Sequence, residues 1–143
     1  MSTLEQAIIL ATNAHAKQTD KSGAPYILHP LRLMLNAKTE EEQITALLHD
    51  VVEDSPITLD DLKTAGFSEM VLNAVQSLTR AKDMPYEQYL QEIASNELAR
   101  RVKLLDLADN MNLDRIKNPT DEDFLRLEKY KKALKYLKQT RSD

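Results

Sequence analysis

Four residues that can bind a metal or transfer a proton lie within six positions near the middle of the chain. They are His49, Asp50, Glu53 and Asp54, separated only by two valines. Residues four apart share one surface of a helix, so His49 would lie beside Glu53 and Asp50 beside Asp54. Solvated helix faces usually mix both signs of charge, yet no Lys or Arg lies among these residues. The cluster therefore predicts a site for a cation that comes from outside the segment.

Two other segments offer ligands of the same kind. His29 directly precedes Pro30 at a stiffened junction between a loop and a helix, and Asp106 lies among leucines. A buried carboxylate without a partner is costly, and a bound metal is one way to compensate its charge. With His49 and Asp50 these residues supply two imidazoles and two carboxylates. That set suits Mn²⁺, Fe²⁺ or Zn²⁺ better than Ca²⁺, which prefers oxygen ligands alone, and we predict Mn²⁺ first.

The acidic pair Glu53-Asp54 is better suited to proton transfer than to ligation. A carboxylate within hydrogen-bond reach of a metal-activated water can orient that water and accept its proton. Each residue also has a structural alternative. The histidines could be surface or hydrogen-bonded residues, and Asp106 could be a helix cap or a salt-bridge partner. Glu53-Asp54 could be a solvated acidic helix end before Ser55-Pro56. His15 stands apart from the motifs on a polar face, and we predict no metal role for it.

Helices must position these residues. The chain has 143 residues, the length of one ordinary domain, and we expect a single domain over residues 1–143. Two glycines, no Trp and 5% aromatic residues favour an all-α fold over a β sandwich or barrel, which needs frequent turn residues. Capping and periodicity predict about eight helices. Their expected starts are Ser2, Pro30, Thr39, Thr58, Ser68, Pro85, Glu97 and Thr120.

Four of these helices carry predictions specific enough to test. The first helix is expected to begin with a capping box, Ser2-x-x-Glu5, and to run to about Lys17. The third is expected to carry the opening motif without a break as far as Ser55-Pro56. The seventh is expected to extend to Arg115, and the apolar face of the last one to include Phe124, Leu127, Leu134 and Leu137.

Composition excludes several classes of function. The chain has no cysteine, so a disulfide framework, a thiolate nucleophile and a Cys-ligated zinc are all excluded. A net charge of −4 argues against a general nucleic-acid binder, although local cations could still attract a small anionic substrate. Neither a signal peptide nor an apolar run of membrane-spanning length is present. We therefore expect a soluble protein without a membrane partner, and a cytoplasmic location.

Three motifs follow one another along nearly the whole chain: Gln18 to Pro30 with Lys21-Ser22-Gly23 and His29-Pro30, then His49 to Asp54, then Lys103 to Met111. In this order they resemble the HD-domain hydrolases of the RelA/SpoT type, and most of all the small stand-alone members that include the metazoan SpoT homologue. The resemblance implies an all-α HD-domain fold and a manganese ion held by His29, His49, Asp50 and Asp106. It also implies that Glu53 and Asp54 activate the attacking water, and that the reaction removes the 3′-pyrophosphate of guanosine tetra- or pentaphosphate.

The resemblance further implies a set of substrate contacts, among them one to the nucleotide sugar and cations that face phosphate. These positions are Lys21, Asn110, Tyr130, Arg80 and Lys82. Core packing would also explain Tyr130, and solvated loop charge would also explain Arg80 and Lys82. The departure is Asp20, because alarmone hydrolases usually carry an arginine there that stacks on guanine, whereas a carboxylate cannot stack and repels phosphate.

Two alternatives to an alarmone hydrolase follow from these observations. Asp20 favours an HD phosphatase or nucleotidase that acts on a different phosphorylated nucleotide. A protein of another class would be a non-catalytic module that binds a nucleotide or a partner protein, although none of the four ligand positions has been lost.

Overall fold

The structure, a computed structural model, describes residues 2–140, and that part of the chain is helical throughout apart from its loops. The all-α fold expected from composition is confirmed. Nine α-helices and one short 3₁₀ helix follow one another between residues 2 and 140. They are α1 Leu4–Ala14, α2 Leu28–Asn36, α3 Glu40–Leu48, α4 Val51–Asp54, α5 Leu59–Thr64, α6 Glu69–Leu78, α7 Tyr86–Ala94, α8 Glu97–Asn110, the 3₁₀ helix Leu113–Arg115, and α9 Asp121–Gln139.

Most helix starts follow their predicted caps. Thr39, Thr58, Ser68 and Thr120 each accept a hydrogen bond from the backbone N–H three residues on, which satisfies one of the free donors in the first turn. The first helix differs from the prediction. Its capping box is formed by Thr3 and Gln6 instead of Ser2 and Glu5, and α1 ends at Ala14.

The opening motif does not lie on one continuous helix, so that prediction is wrong. α3 ends at Leu48 and α4 begins at Val51, with His49 and Asp50 in the turn between them. His49 Nδ1 lies 2.6 Å from the carbonyl oxygen of Ala46, the oxygen that a continuing helix would pair with the N–H of Asp50. This competing hydrogen bond explains the break. The seventh predicted helix is likewise shorter, because α8 ends at Asn110 and the 3₁₀ helix follows separately.

α3 is the central element of the fold. Its residues from Ile44 to Leu48 are all buried, and they contribute to two apolar clusters. One cluster joins α3 to α1, α5 and α6, and the other joins it to α2, α7, α8 and α9. Burial of a leucine or valine side chain stabilises a fold by about 1.5–3 kcal/mol, so the end of α3 is firmly held. That end carries His49.

α8 and α9 complete the second cluster. Val102 and Leu107 of α8 are fully buried, which places Asp106 in the interior. On α9, Leu137 is fully buried as predicted, but Phe124 is half exposed, so its assignment to the apolar face is wrong. No helix among residues 2–140 is both long and apolar enough to cross a membrane.

Candidate metal centre and the adjoining cavity

Three buried side chains from three separate segments meet at one point. His29 comes from α2, His49 from the turn after α3, and Asp106 from α8. The Oδ1 atom of Asp106 lies 2.8 Å from His29 Nε2 and 3.5 Å from His49 Nε2. Ligand atoms of the three residues all lie within 4.8 Å of one another. Two imidazole nitrogens and a carboxylate oxygen at this spacing form a set that could hold a divalent cation.

The protonation of His49 supports a cation at this point. Because Nδ1 faces the Ala46 carbonyl at 2.6 Å, Nδ1 donates, and Nε2 is left to face the carboxylates. Nε2 forms no hydrogen bond with any residue in the described part of the chain, although Asp50 Oδ2 is 2.9 Å away. A lone pair facing carboxylates is repulsive unless a proton or cation lies between them. Burial opposes protonation, yet the charges of Asp50 and Asp106 raise the pKa of His49 well above its usual value.

Asp109 holds the second histidine. His29 Nδ1 donates to Asp109 Oδ2 at 2.6 Å, which leaves Nε2 directed at Asp106. Arg32 adds two hydrogen bonds to the same carboxylate, from Nε at 2.8 Å and Nη2 at 2.9 Å. Such a carboxylate behind a histidine fixes the ring and its tautomer. Sequence reasoning missed Asp109, although its position three residues after Asp106 on α8 puts both on neighbouring parts of one surface.

The carboxylates of the cluster are held in turn by two neighbours for which the sequence predicted no role. The Tyr26 hydroxyl donates to Asp50 Oδ2, and Lys103 Nζ lies 2.9 Å from Asp106 Oδ2. Asn110, a predicted substrate contact, also donates to Asp106, at 3.1 Å. Asp50 lies beside His49 but is not one of the three residues whose ligand atoms lie within 4.8 Å of one another. Lys103 stands three residues before Asp106, a spacing that indicates a helical pair.

Glu53 and Asp54 are adjacent on the short helix α4, and both are partly exposed. Glu53 Oε1 accepts the backbone N–H of Arg80 at 2.7 Å. Partial burial, followed by the charge of Asp50, raises the pKa of both carboxyl groups, while the bond from Arg80 opposes the rise at Glu53. A carboxylate whose pKa is raised toward neutrality is a better general base.

A cavity of about 320 Å³ opens beside His29, a volume at the lower end for small-molecule sites. Three of the five predicted substrate contacts line it: Lys21, Asn110 and Tyr130. Its walls also contain three arginines and two carboxylates that sequence reasoning did not combine. They are Arg32, Arg115, Arg126, Asp20 and Asp123.

The other two predicted contacts lie outside the cavity lining. The Arg80 guanidinium donates to the carbonyl of Met84 at 2.9 Å and lies 5.4 Å from the centre of the Tyr86 ring. These contacts hold it within its own loop. Lys82 is exposed in the same loop.

Asp20 has a local structural role in the cavity wall. Its Oδ1 atom accepts hydrogen bonds from the N–H and hydroxyl of Ser22 at 2.9 and 2.7 Å and from the N–H of Ala24 at 3.0 Å. Slight burial opposes ionisation, but these bonds lower the pKa of Asp20, so the wall carries a negative charge. Asp20 therefore shapes the loop by a side-chain turn, a conformation typical of Asp and Asn.

Comparison with known proteins finds a match to a family model described as HD domain, over residues 7–117. The chain is similar to the guanosine-3′,5′-bis(diphosphate) 3′-pyrophosphohydrolase of Aquifex aeolicus, with 34% identity over 118 residues that cover 76% of this chain. It is also similar to the bifunctional (p)ppGpp synthase/hydrolase SpoT of Escherichia coli, with 34% identity over 97 residues and 65% of this chain. The aligned parts make up 17% and 14% of those two relatives.

A solved structure resembles this chain over nearly its whole length. It is described as a metazoan ortholog of SpoT that hydrolyzes ppGpp, and the two superpose with a TM-score of 0.80, covering 99% of this chain and 89% of that one. Sequence identity is 23%, so this likeness shows the fold alone.

Proposed function

Because this chain belongs to the HD domain family, we propose that it is a metal-dependent phosphohydrolase that acts on a phosphorylated nucleotide. The activity best supported is 3′-pyrophosphohydrolysis of guanosine 3′,5′-bis(diphosphate), for which the similar protein of A. aeolicus is named, while that of E. coli is named as a (p)ppGpp synthase/hydrolase. One observation carries the proposal: two buried histidine Nε2 atoms converge on a single oxygen of Asp106. Both rings are fixed through Nδ1, so both Nε2 atoms are directed to the place where a cation would bind.

The proposed metal ligands are His29, His49, Asp50 and Asp106, and the proposed ion is Mn²⁺. A divalent ion bound here would polarise a phosphoryl oxygen and lower the pKa of water. The mixed nitrogen and oxygen donor set suits manganese, iron or zinc. Lys103 and Asn110 hydrogen-bond to Asp106 and orient its carboxylate.

In the proposed reaction Glu53 and Asp54 orient the attacking water and accept its proton. The water oxygen attacks the phosphorus bonded to the ribose 3′ oxygen, the bond between those two atoms breaks, and the 3′ oxygen takes up a proton to become a hydroxyl. The products are GDP and pyrophosphate. The Arg80 N–H holds Glu53 Oε1, which leaves Oε2 to meet the water. The raised pKa of both carboxyl groups favours the proton transfer.

The nucleotide is proposed to occupy the 320 Å³ cavity beside His29. Lys21, Asn110 and Tyr130 would contact it there, and Arg32 and Arg115 add positive charge for phosphate groups. Arg80 and Lys82, in the loop whose Arg80 N–H binds Glu53, stay predicted phosphate contacts.

Asp20 favours a second candidate of the same chemical class. A loop held by its carboxylate presents no guanidinium to stack on guanine, and its charge disfavours a phosphate nearby. An HD phosphatase or nucleotidase for another nucleotide would suit this wall.

A panel of nucleotides assayed with Mn²⁺, with product identification by chromatography, separates the two candidates. GDP and pyrophosphate formed from ppGpp, and their loss in His49→Ala, are the expected results. Turnover of another nucleotide without turnover of ppGpp would establish the second candidate. No turnover of any nucleotide by the Mn²⁺-loaded protein would contradict both and favour a non-catalytic binding module.

A further inference from the structure

A buried histidine and a half-buried glutamine at the end of α1 have no part in the proposed chemistry, yet they contact the end of α4. His15 is 2% exposed, which corrects its expected place on a polar face. Its Nδ1 atom lies 2.8 Å from Gln18 Oε1. Gln18 Nε2 in turn lies 2.9 Å from the carbonyl oxygen of Asp54 and 3.4 Å from that of Ala14. Gln18 therefore joins the last carbonyls of α1 and α4.

Hydrogen-bond complementarity assigns every donor in this pair. Carbonyl oxygens only accept, so the Gln18 amide must direct its NH₂ group at Asp54 and Ala14, and its oxygen at His15. The Nδ1 atom of His15 is then the donor. Nε2 is left as a buried atom without a hydrogen bond in the described part of the chain. Buried polar atoms without a hydrogen bond are rare in proteins, which indicates that other contacts hold the His15 ring in this position.

One of those contacts leads to the metal site by a second route. The His15 ring packs on the Tyr26 ring with 4.8 Å between their centres, and the Tyr26 hydroxyl donates to Asp50. His15 is thus connected to Asp54 through Gln18 and to Asp50 through Tyr26. The two acidic residues lie at opposite ends of the turn and helix that follow His49.

The short helix α4 needs such support. It has four residues, and the chain after it is extended at Ser55, so its last carbonyls have no helical partners. The Ser55 hydroxyl donates to the Val51 carbonyl at 2.6 Å, and Gln18 supplies the donor for Asp54. The chain reverses at Lys17, with a φ of 70°, which turns Gln18 back beneath the end of α1.

We propose that His15 and Gln18, together the α1 bracket, are positioning residues that hold the main chain of Glu53-Asp54 in register with His49 and Asp50. This inference rests on the proposed function, in which the acidic pair acts on the attacking water. Neither residue of the α1 bracket contacts the proposed metal ligands directly. Its loss therefore displaces the acidic pair while the ligand cluster of His29, His49 and Asp106 stays formed.

The test compares four variants of the full chain. Gln18→Met keeps the length of the side chain but removes all three hydrogen bonds of the amide, and His15→Leu removes the donor to Gln18. His15→Asn is the conservative variant, because its amide nitrogen can take the place of Nδ1. Thr12→Val is the matched control, since the Thr12 hydroxyl also donates to a carbonyl of α1, that of Ile8 at 2.7 Å, but on an exposed surface.

We expect Gln18→Met to lower kcat by roughly tenfold or more, while KM and the Mn²⁺ dissociation constant stay within about twofold, because a small misplacement of a reacting group costs rate more than binding. His15→Leu should show a similar loss of kcat, His15→Asn should recover most of that loss, and Thr12→Val should have the kcat of the unmodified protein. Unchanged kcat in Gln18→Met would overturn the proposal. A parallel loss of kcat, metal affinity and melting temperature would also overturn it, because it would show a general structural role.

Hydrogen–deuterium exchange keeps this test separate from that of the proposed function. The Asp54 N–H donates to Asp50 O at 2.9 Å, so faster exchange there in Gln18→Met and His15→Leu, but not in Thr12→Val, is expected whether or not a nucleotide is turned over. Unchanged exchange would overturn the positioning role. Full activity in Asp54→Asn would instead contradict the proposed function. If Gln18→Met does not fold, the pair His15→Leu and His15→Asn decides the question.

Discussion

Replacement of Asp109 should weaken metal binding without removal of any proposed ligand. The Asp109 carboxylate accepts one hydrogen bond from His29 and two from Arg32, and its side chain is 12% exposed. In Asp109→Ala the His29 ring loses the acceptor that sets its tautomer. Loss of such a partner typically lowers metal affinity about 10–100-fold, or about 1.4–2.7 kcal/mol. Asp109→Asn should lose less, because its amide oxygen can still accept from Nδ1.

The assay is calorimetric titration of Mn²⁺ into metal-free protein. Asp114→Ala serves as the control, because Asp114 is an exposed acidic residue of the neighbouring 3₁₀ helix. It should bind Mn²⁺ with the affinity of the unmodified protein. Equal affinities in all four proteins would refute the argument that Asp109 orients His29. Equal losses in Asp109→Ala and Asp114→Ala would show that only the net negative charge matters.

Three further predictions concern stability. Mn²⁺ at about 100 times its dissociation constant should raise the free energy of unfolding by about 2.7 kcal/mol, and a chelator should reverse the rise, as followed by thermal denaturation; no shift would argue against a site in the native state. Asp106→Ala should destabilise the metal-free protein by about 3–5 kcal/mol, measured by urea denaturation, because Lys103 would stay buried without its partner at 2.9 Å. The double variant Asp106→Ala/Lys103→Met should recover part of this loss. Equal stabilities of Asp106→Ala and the unmodified protein would refute the argument. Burial raises the pKa of Tyr89 to about 12 although Lys103 opposes it. The contribution of Tyr89 to stability is therefore fully present below about pH 10 and is lost, by about 2.7 kcal/mol in total, as the pH rises through 12. Tyr89→Phe should make the fall of stability at alkaline pH shallower.

Predictions from residue spacing were correct where the contacts join residues close in sequence. Thr58 and Asp61, and Thr120 and Asp123, form the reciprocal hydrogen bonds of capping boxes because the partners are three residues apart. The first helix shows the limit of this reasoning, since two overlapping patterns, Ser2-x-x-Glu5 and Thr3-x-x-Gln6, both suit a helix start. The Ser2 hydroxyl instead donates to Ala65, a partner distant in sequence, and Thr3 forms the cap.

The same distinction between local pattern and long-range contact applies to the candidate metal site. The residue types of His29, His49 and Asp106 indicate a metal centre by their ligand chemistry, and the tertiary fold brings these three together. The break between α3 and α4 was not predictable from spacing, because it depends on a ring nitrogen of His49 that competes for the Ala46 carbonyl. The burial of His15 was missed because its contacts, Gln18 and Tyr26, lie across a turn and not along a helix face.

The sequence by itself determined the helical fold class, most helix starts and the chemical type of the site, because caps, periodicity and ligand preferences depend on residue identity within a few positions. Only the tertiary structure decided which carboxylate stands behind His29, which predicted contacts line the cavity, and how Asp54 is tied to α1. Those contacts join residues that lie 80 positions apart in one case and 36 in the other. They form because the packing of α3 against its neighbours sets the positions of whole helices, and no local pattern encodes that arrangement.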